Sequence, residues 1–123
     1  MSVKETGVSY YGLSYPEHAE RDFKLLIRHN CNAVVLALSE FDVDFWFPNI
    51  IKVARVAKDL GMKVYLDTWG MGKWFGGEPP SNFLTNNPGN RQVSAFTGEP
   101  LAAACFNTKA FRDYFYGICT KLA

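Results

Sequence analysis

The chain has 123 residues, of which 48% are hydrophobic and 15% aromatic, enough apolar material for one globular domain or part of one. Its 13 basic and 12 acidic residues leave a formal net charge of +1, which argues against nucleic acid or an anionic membrane as a partner. The apolar runs fall far short of the roughly 20 residues of a membrane span, and the first residues contain no apolar signal core. Together these features predict a cytoplasmic protein.

The residues that commonly bind metals or form disulfides are few and scattered. Cys31, Cys105 and Cys119 are odd in number and irregularly spaced, which indicates reduced thiols in or near a core. His18 and His29 fall in the first predicted helix, where we expect solvent to surround them. No cluster of His, Cys and Asp has metal-ligand spacing, so the sequence predicts neither a metal nor a cofactor.

The first predicted unit is a strand followed by a helix. Residues 7–12 form a short strand between two glycines, and Ser14 and Glu17 have the spacing of a capping box. The helix is predicted to end near Asn30, a residue that tolerates left-handed geometry. Its apolar stripe recurs with helical periodicity and comprises Phe23, Leu26 and Ile27.

The second unit begins with the strongest strand of the chain. Residues 33–38 are apolar without polar alternation, which predicts burial on both faces, as in a parallel sheet flanked by helices. A helix follows, starting between Asp44 and Pro48 and ending before Gly61, which suits the position after a C-cap. Its predicted stripe comprises Ile50, Val53, Ala54, Ala57 and Leu60.

A third strand, Lys63–Asp67, opens into a long loop at about residues 68–107. No helix is predicted before about Thr108, and a loop of about 40 residues far exceeds the roughly 4–6 usual in compact domains. The loop is rich in aromatic residues, which favours an ordered binding loop over a disordered segment. The aromatic residues of the loop are Trp69, Trp74, Phe75, Phe83 and Phe96. A last helix follows the loop, and its predicted apolar stripe is Phe111, Tyr114, Phe115, Ile118 and Leu122.

The order β-α-β-α-β-long loop-α, repeating about every 26–30 residues, predicts an α/β fold with parallel strands. The turn after the first strand has no glycine-rich phosphate cradle, and the Gly70-x-Gly72 pair opens no helix, so the doubly wound dinucleotide fold is disfavoured. We therefore predict a partial (β/α)8 TIM barrel over residues 1–123, with strands in the order 1-2-3. The predicted buried set is Phe23, Ile27, Val35, Leu36, Val53, Ala57, Val64 and Leu66.

Several segments resemble the first three units of (β/α)8-barrel glycoside hydrolases. They are residues 7–11, 32–36, 61–67, the Trp69-Gly70 pair, residues 75–78 and residues 104–112. The resemblance implies carbohydrate as the substrate or ligand. It also implies that the catalytic acid follows strand four and the nucleophile strand seven. Both positions lie beyond Ala123, so the resemblance supplies no catalytic residue here. We therefore expect the chain alone to bind sugar weakly and to hydrolyse it negligibly.

Active sites of such barrels lie at the carboxyl ends of the strands. That placement makes a rim of substrate-binding candidates: Tyr10, Tyr11, Glu40, Asp67 and Trp69. An alternative role for Glu40 and Asp67 is local capping or salt bridging.

Three further candidates from the loop, Trp74, Glu78 and Arg91, complete the predicted binding set. Trp69 and Trp74 would stack against sugar rings, or else pack a small core of the loop itself. Glu78 and Arg91 would hydrogen-bond sugar hydroxyls, or else pair with each other.

Three functional hypotheses stay open at this point. The chain is a piece of a glycoside hydrolase that contributes part of a carbohydrate-binding rim, a non-catalytic sugar-binding relative, or a small open α/β module with a further strand around residues 92–96. Because three strands leave two unpaired edges, we expect self-association or a complementary chain that completes the barrel.

Overall fold

The computed structural model describes residues 4–74 and 80–123. Contacts divide the chain into two compact units. The first unit comprises the residues up to Leu38 together with Asp42–Thr68, and the second comprises Ser39–Phe41 together with Trp69–Ala123. The second unit therefore takes a short piece of chain from the middle of the first.

The first unit is built on a parallel sheet of three strands in the order β1-β2-β3. The strands are β1 (Gly7–Tyr10), β2 (Ala33–Ala37) and β3 (Lys63–Asp67). In register, Ala33 lies between Gly7 and Lys63. The predicted parallel order is confirmed, and β2 is the most buried strand because it alone of the three has a neighbour on each side. The described residues thus establish an α/β fold, while closure into a barrel remains a proposal.

Helices α1 (Pro16–Arg28) and α3 (Phe47–Asp59) connect the three strands and pack against each other. The predicted capping box is wrong. Pro16 takes the first helical position, so the cap falls on Tyr15, whose side chain makes no capping hydrogen bond. The predicted helix ends are confirmed, with φ of 64° at Asn30 and 79° at Gly61. The left-handed geometry there suits both residue types.

The two faces of this sheet differ in character. The ring of Tyr10 packs edge-on against Phe23 of α1, at a centroid distance of 4.8 Å. Since side chains alternate along a strand, the register places Leu36 on that same helix-facing side. Tyr65 and Asp67 lie on the opposite face, and both are exposed.

The predicted buried set is partly right. Phe23, Leu36, Val53 and Ala57 are buried, and Val35 and Val64 are half-buried. The prediction is wrong for Ile27 and Leu66, which are 38% and 41% exposed. Ile27 lies in the last turn of α1, and Leu66 lies on an outer strand, so apolar periodicity alone overstated their contacts.

In the second unit, several short elements lie where the sequence predicts one long ordered loop. They are helix α4 (Asn82–Asn86), strands β4 (Arg91–Val93) and β5 (Pro100–Ala104), and single 3₁₀ turns at Met71–Lys73 and Pro88–Asn90. The first two residues of helix α2 (Glu40–Phe45) also belong to this unit. The prediction of no helix before Thr108 was wrong because α4 is too short to show periodicity. The sequence feature that marks the start of α4 is its N-cap residue, Ser81. The Ser81 hydroxyl accepts a hydrogen bond from the Leu84 amide at 3.0 Å. The open-module hypothesis placed a further strand around residues 92–96. The structure has β4 slightly earlier, and it pairs antiparallel with β5.

An aromatic core holds the second unit together around helix α5 (Lys109–Leu122). Phe111 is fully buried, and Phe83 and Phe106 pack on it at centroid distances of 5.2 and 4.8 Å. Gly72 fits against this core because it has no side chain. A Cβ there would lie 2.4 Å from the Phe111 ring. Thr108 takes the N-cap position of this helix, but its side chain makes no capping hydrogen bond to the helix.

Candidate functional site

Glu40 is the most enclosed of the predicted site residues that the structure describes, with an exposure of only 2%. Its Oε1 accepts hydrogen bonds from the Gly72 amide and the Ser81 hydroxyl, both at 2.6 Å. Its Oε2 accepts one from the Phe83 amide at 2.9 Å. A buried carboxylate that holds two backbone amides is an internal cap, so this geometry favours the structural alternative for Glu40 over contact with a ligand.

The two candidate tyrosines have different surroundings. The Tyr10 hydroxyl donates to Oδ2 of Asp22 on α1 at 3.0 Å. Burial is the larger cause and this hydrogen bond the second, and together they raise the pKa of Tyr10 to about 12. Tyr10 thus belongs to the packing beneath α1 rather than to an open rim. Tyr11, in contrast, is 65% exposed.

Asp67 ends β3, at the carboxyl end of the sheet as the sequence predicts. Its side chain is exposed, and its backbone carbonyl accepts a hydrogen bond from the Leu38 amide at 2.7 Å. Trp69 is half-buried and belongs to the second unit. The single rim proposed from the sequence therefore draws on both units, and its convergence stays a prediction.

A polar cluster that sequence reasoning missed lies at the amino end of the same sheet. Glu5 forms a salt bridge with Lys63, and the Tyr65 hydroxyl donates to Oε2 of Glu5 at 2.8 Å. The hydrogen bonds from Lys63 and Tyr65 lower the pKa of Glu5, and the bond from Lys63 has the larger effect. The bond to Glu5 in turn raises the pKa of Lys63 and of Tyr65. Because residues two apart share a strand face, the Lys63-x-Tyr65 pattern is the signal that could have found this cluster.

The candidate binding surface of the second unit is a groove beside Trp74, of about 320 Å³. The Trp74 side chain is 37% exposed and packs edge-on against Phe106 at a centroid distance of 4.3 Å. The amide of Gln92 donates to the Ala104 carbonyl at 3.0 Å, which fixes its orientation in the wall. We call this surface the Trp74 groove, and its lining is Trp74, Gln92, Val93, Cys105, Phe106 and Asn107. Sequence reasoning found Trp74 but missed the partners that β4 and β5 bring to it.

Arg91, the remaining described candidate, lines a different and smaller pocket of about 170 Å³. Lys73 lines the same pocket, together with Ser81 and Thr85. We call it the Lys73–Arg91 pocket. Glu78, the proposed partner of Arg91, lies outside the described residues, as does Phe75.

Within residues 4–74 and 80–123, no group of three or more His, Cys, Asp or Glu side chains is arranged to hold a metal ion. No helix of these ranges is long and apolar enough to span a membrane. No protein-family model, curated protein or solved structure matches this chain, so its function has to be inferred from its own residues.

Proposed function

We propose that the chain binds carbohydrate through the Trp74 groove. The observation that carries this proposal is a partly exposed indole, held in place by Phe106, beside the amide side chains of Gln92 and Asn107. The face of an indole suits the apolar face of a sugar ring, and amides donate to and accept from sugar hydroxyls. The groove volume of about 320 Å³ falls at the lower end of the roughly 300–1,000 Å³ typical of small-ligand sites.

We further propose that the first unit is part of a glycoside hydrolase-like (β/α)8 barrel. Three consecutive parallel strands in sequence order, connected by helices on one face, support this proposal. In such a barrel the face that carries Ser9, Val35 and Tyr65 would line the interior. An open α/β module with a sugar-binding second unit is the alternative, favoured by the separate aromatic core of that unit.

Hydrolysis by this chain alone is expected to be negligible. The two-carboxylate mechanism needs a matched acid and a nucleophile or base. Among the strand-end carboxylates of the described residues, Asp67 is exposed, but Glu40 is enclosed and already accepts three hydrogen bonds. Glu40 is thus not available to a substrate, and the described part of the chain offers no matched pair at the strand ends.

Titration of the full chain with a panel of neutral oligosaccharides tests the binding proposal. Calorimetry should show saturable binding that Trp74→Ala weakens about tenfold, which corresponds to about 1.4 kcal/mol. Trp46→Ala is the matched control, because Trp46 has the same 37% exposure but belongs to the first unit. No binding to any saccharide, or equal weakening by the two substitutions, would refute the proposal.

A further inference from the structure

Two cationic side chains line one pocket of the second unit and form no ion pair with another described residue. Lys73 and Arg91 both line the Lys73–Arg91 pocket. The ion pairs of the described residues are formed by other basic side chains, namely Arg21, Lys24, Lys63 and Lys109. Two like charges at one pocket repel each other, so an anion placed between them would be favoured.

The rest of the pocket also suits a small anion. No carboxylate is among its described lining residues. The hydroxyls of Ser81 and Thr85 already donate to Glu40 and to the Ser81 carbonyl, so the donors for an anion are the two cationic side chains. Glu40 bonds the Ser81 hydroxyl, but it is buried and its oxygens face Gly72, Ser81 and Phe83. At about 170 Å³ the pocket is smaller than the roughly 300–1,000 Å³ of drug-sized ligand sites, so it favours a compact ion or a single charged group.

The backbone beside each cation departs from regular geometry. Lys73 has a φ of 53°, a left-handed conformation that is unfavourable for residues other than glycine. The preceding residue, Gly72, has a φ of 59°. Such a residue persists only where its surroundings determine it. Here the Gly72 amide is held by Glu40. Arg91 starts β4, where the pairing with β5 shifts register, and such irregularities redirect side chains near functional sites.

We propose that Lys73 and Arg91 bind a compact oxyanion in this pocket. The planar guanidinium of Arg91 would form two parallel hydrogen bonds to it, and the Lys73 ammonium would add a point charge. The oxyanion is either the charged group of an acidic sugar or a free inorganic anion. The site is separate from the Trp74 groove, because the described linings of the two share no residue.

Binding of inorganic sulfate and of glucuronate to the full chain, measured by calorimetry at low ionic strength, tests this site. Saturable binding is expected for at least one probe and should weaken about tenfold in Arg91→Gln and in Lys73→Asn. Asparagine tolerates a positive φ, so Lys73→Asn removes the charge without adding backbone strain and should fold normally. Lys58→Gln, which removes an exposed charge of the first unit, is the control.

Tighter binding of glucuronate than of sulfate would support the site and identify an acidic sugar as the source of the anion. Tighter binding of sulfate would support the site for a free inorganic anion. Absence of saturable binding of both probes, or equal weakening by Lys58→Gln, would overturn the proposal. Neutral saccharides do not report on this pocket, so its failure is distinguishable from failure of the Trp74 groove.

Discussion

At the scale of single residues, Glu40 has the largest expected effect on stability. In Glu40→Gln an amide group replaces one accepting oxygen, so a buried donor loses its acceptor. Leaving such a group unsatisfied costs roughly 1–3 kcal/mol, and we expect a loss of about 3 kcal/mol of unfolding free energy. Urea denaturation measures this loss, and faster hydrogen exchange of the Gly72 and Phe83 amides should accompany it.

The control for this substitution is Glu99→Gln, because Glu99 is an exposed carboxylate of the same unit. Exposed substitutions usually change stability by less than about 0.5 kcal/mol. If Glu40→Gln were as mild as the control, the carboxylate would not be the anchor that its three hydrogen bonds indicate.

Because of Tyr10, we expect the first unit to lose stability at alkaline pH. The folded state raises the pKa of Tyr10 from its ordinary 10.0 to about 12, so the folded chain retains this proton where the unfolded chain loses it. The contribution is fully present below pH 10 and is lost as the pH rises towards 12. Because the ring is only partly buried, screening limits the contribution to about 1 kcal/mol.

Comparison with Tyr10→Phe isolates this effect. The difference in unfolding free energy between the parent chain and the variant should shrink between pH 10 and pH 12, measured by denaturant titration at several pH values. Profiles that stay parallel over this window would mean that the Asp22 hydrogen bond does not hold the proton of Tyr10.

At the scale of secondary-structure elements, the close fit of the Met71–Lys73 turn against α5 depends on Gly72. In Gly72→Ala the new methyl group would meet the Phe111 ring at 2.4 Å and Ala104 at 2.7 Å, at a φ of 59°. Overpacking and left-handed strain together should cost about 3 kcal/mol. Thermal unfolding measures the loss.

Gly98→Ala separates the two causes of that loss. Gly98 has a similar φ of 73°, but a Cβ there would meet nothing within 4 Å. It should therefore show only the strain, at about 1 kcal/mol. Equal losses in the two variants would show that packing against α5 contributes nothing.

Elements with a long apolar pattern could be predicted from the sequence, and short ones could not. Strand β2 and helix α3 were predicted because 33–38 is a continuous apolar run and the stripe through Val53 and Ala57 spans several turns. Helix α4 and strand β4 have five and three residues, too few for periodicity to appear. Their positions depend on tertiary contacts, such as the bonds from Ser81 and Phe83 to Glu40.

The same limit applies to the candidate site. Trp74 could be identified as a binding candidate because an aromatic residue in a glycine-rich segment stands out. Gln92, Phe106 and Asn107 could not be assigned to it, because only the antiparallel pairing of β4 with β5 brings them together. The burial of Glu40 was equally hidden, since its donors lie 32 to 43 residues away in sequence.

At the scale of the whole molecule, the outer strands of the parallel sheet lead us to expect self-association or a complementary chain. Val8 on β1 is 38% exposed, and Tyr65 and Leu66 on β3 are 46% and 41% exposed. Outer strands also present backbone groups that another strand can pair with. Sedimentation velocity over a range of concentrations should reveal species larger than the monomer.

Tyr65→Lys would place a charge on the outer strand β3 and should shift the equilibrium towards monomer. Thr120→Lys, on an exposed position of α5, adds the same charge to the second unit instead of to an outer strand and should not. A compact monomer at all concentrations that binds no hydrophobic dye would contradict this expectation and favour the open α/β module.

The path of the chain through Glu40 has a consequence for dissection of the protein. Residues 39–41 belong to the second unit, yet they are joined on both sides to segments of the first. A fragment of residues 69–123 would contain the amides of Gly72 and Phe83 and the Ser81 hydroxyl but not the carboxylate that accepts from them. The second unit is thus not an autonomous module that can be excised or transplanted as one continuous piece. Any continuous segment that keeps the second unit whole must also carry residues 42–68 of the first.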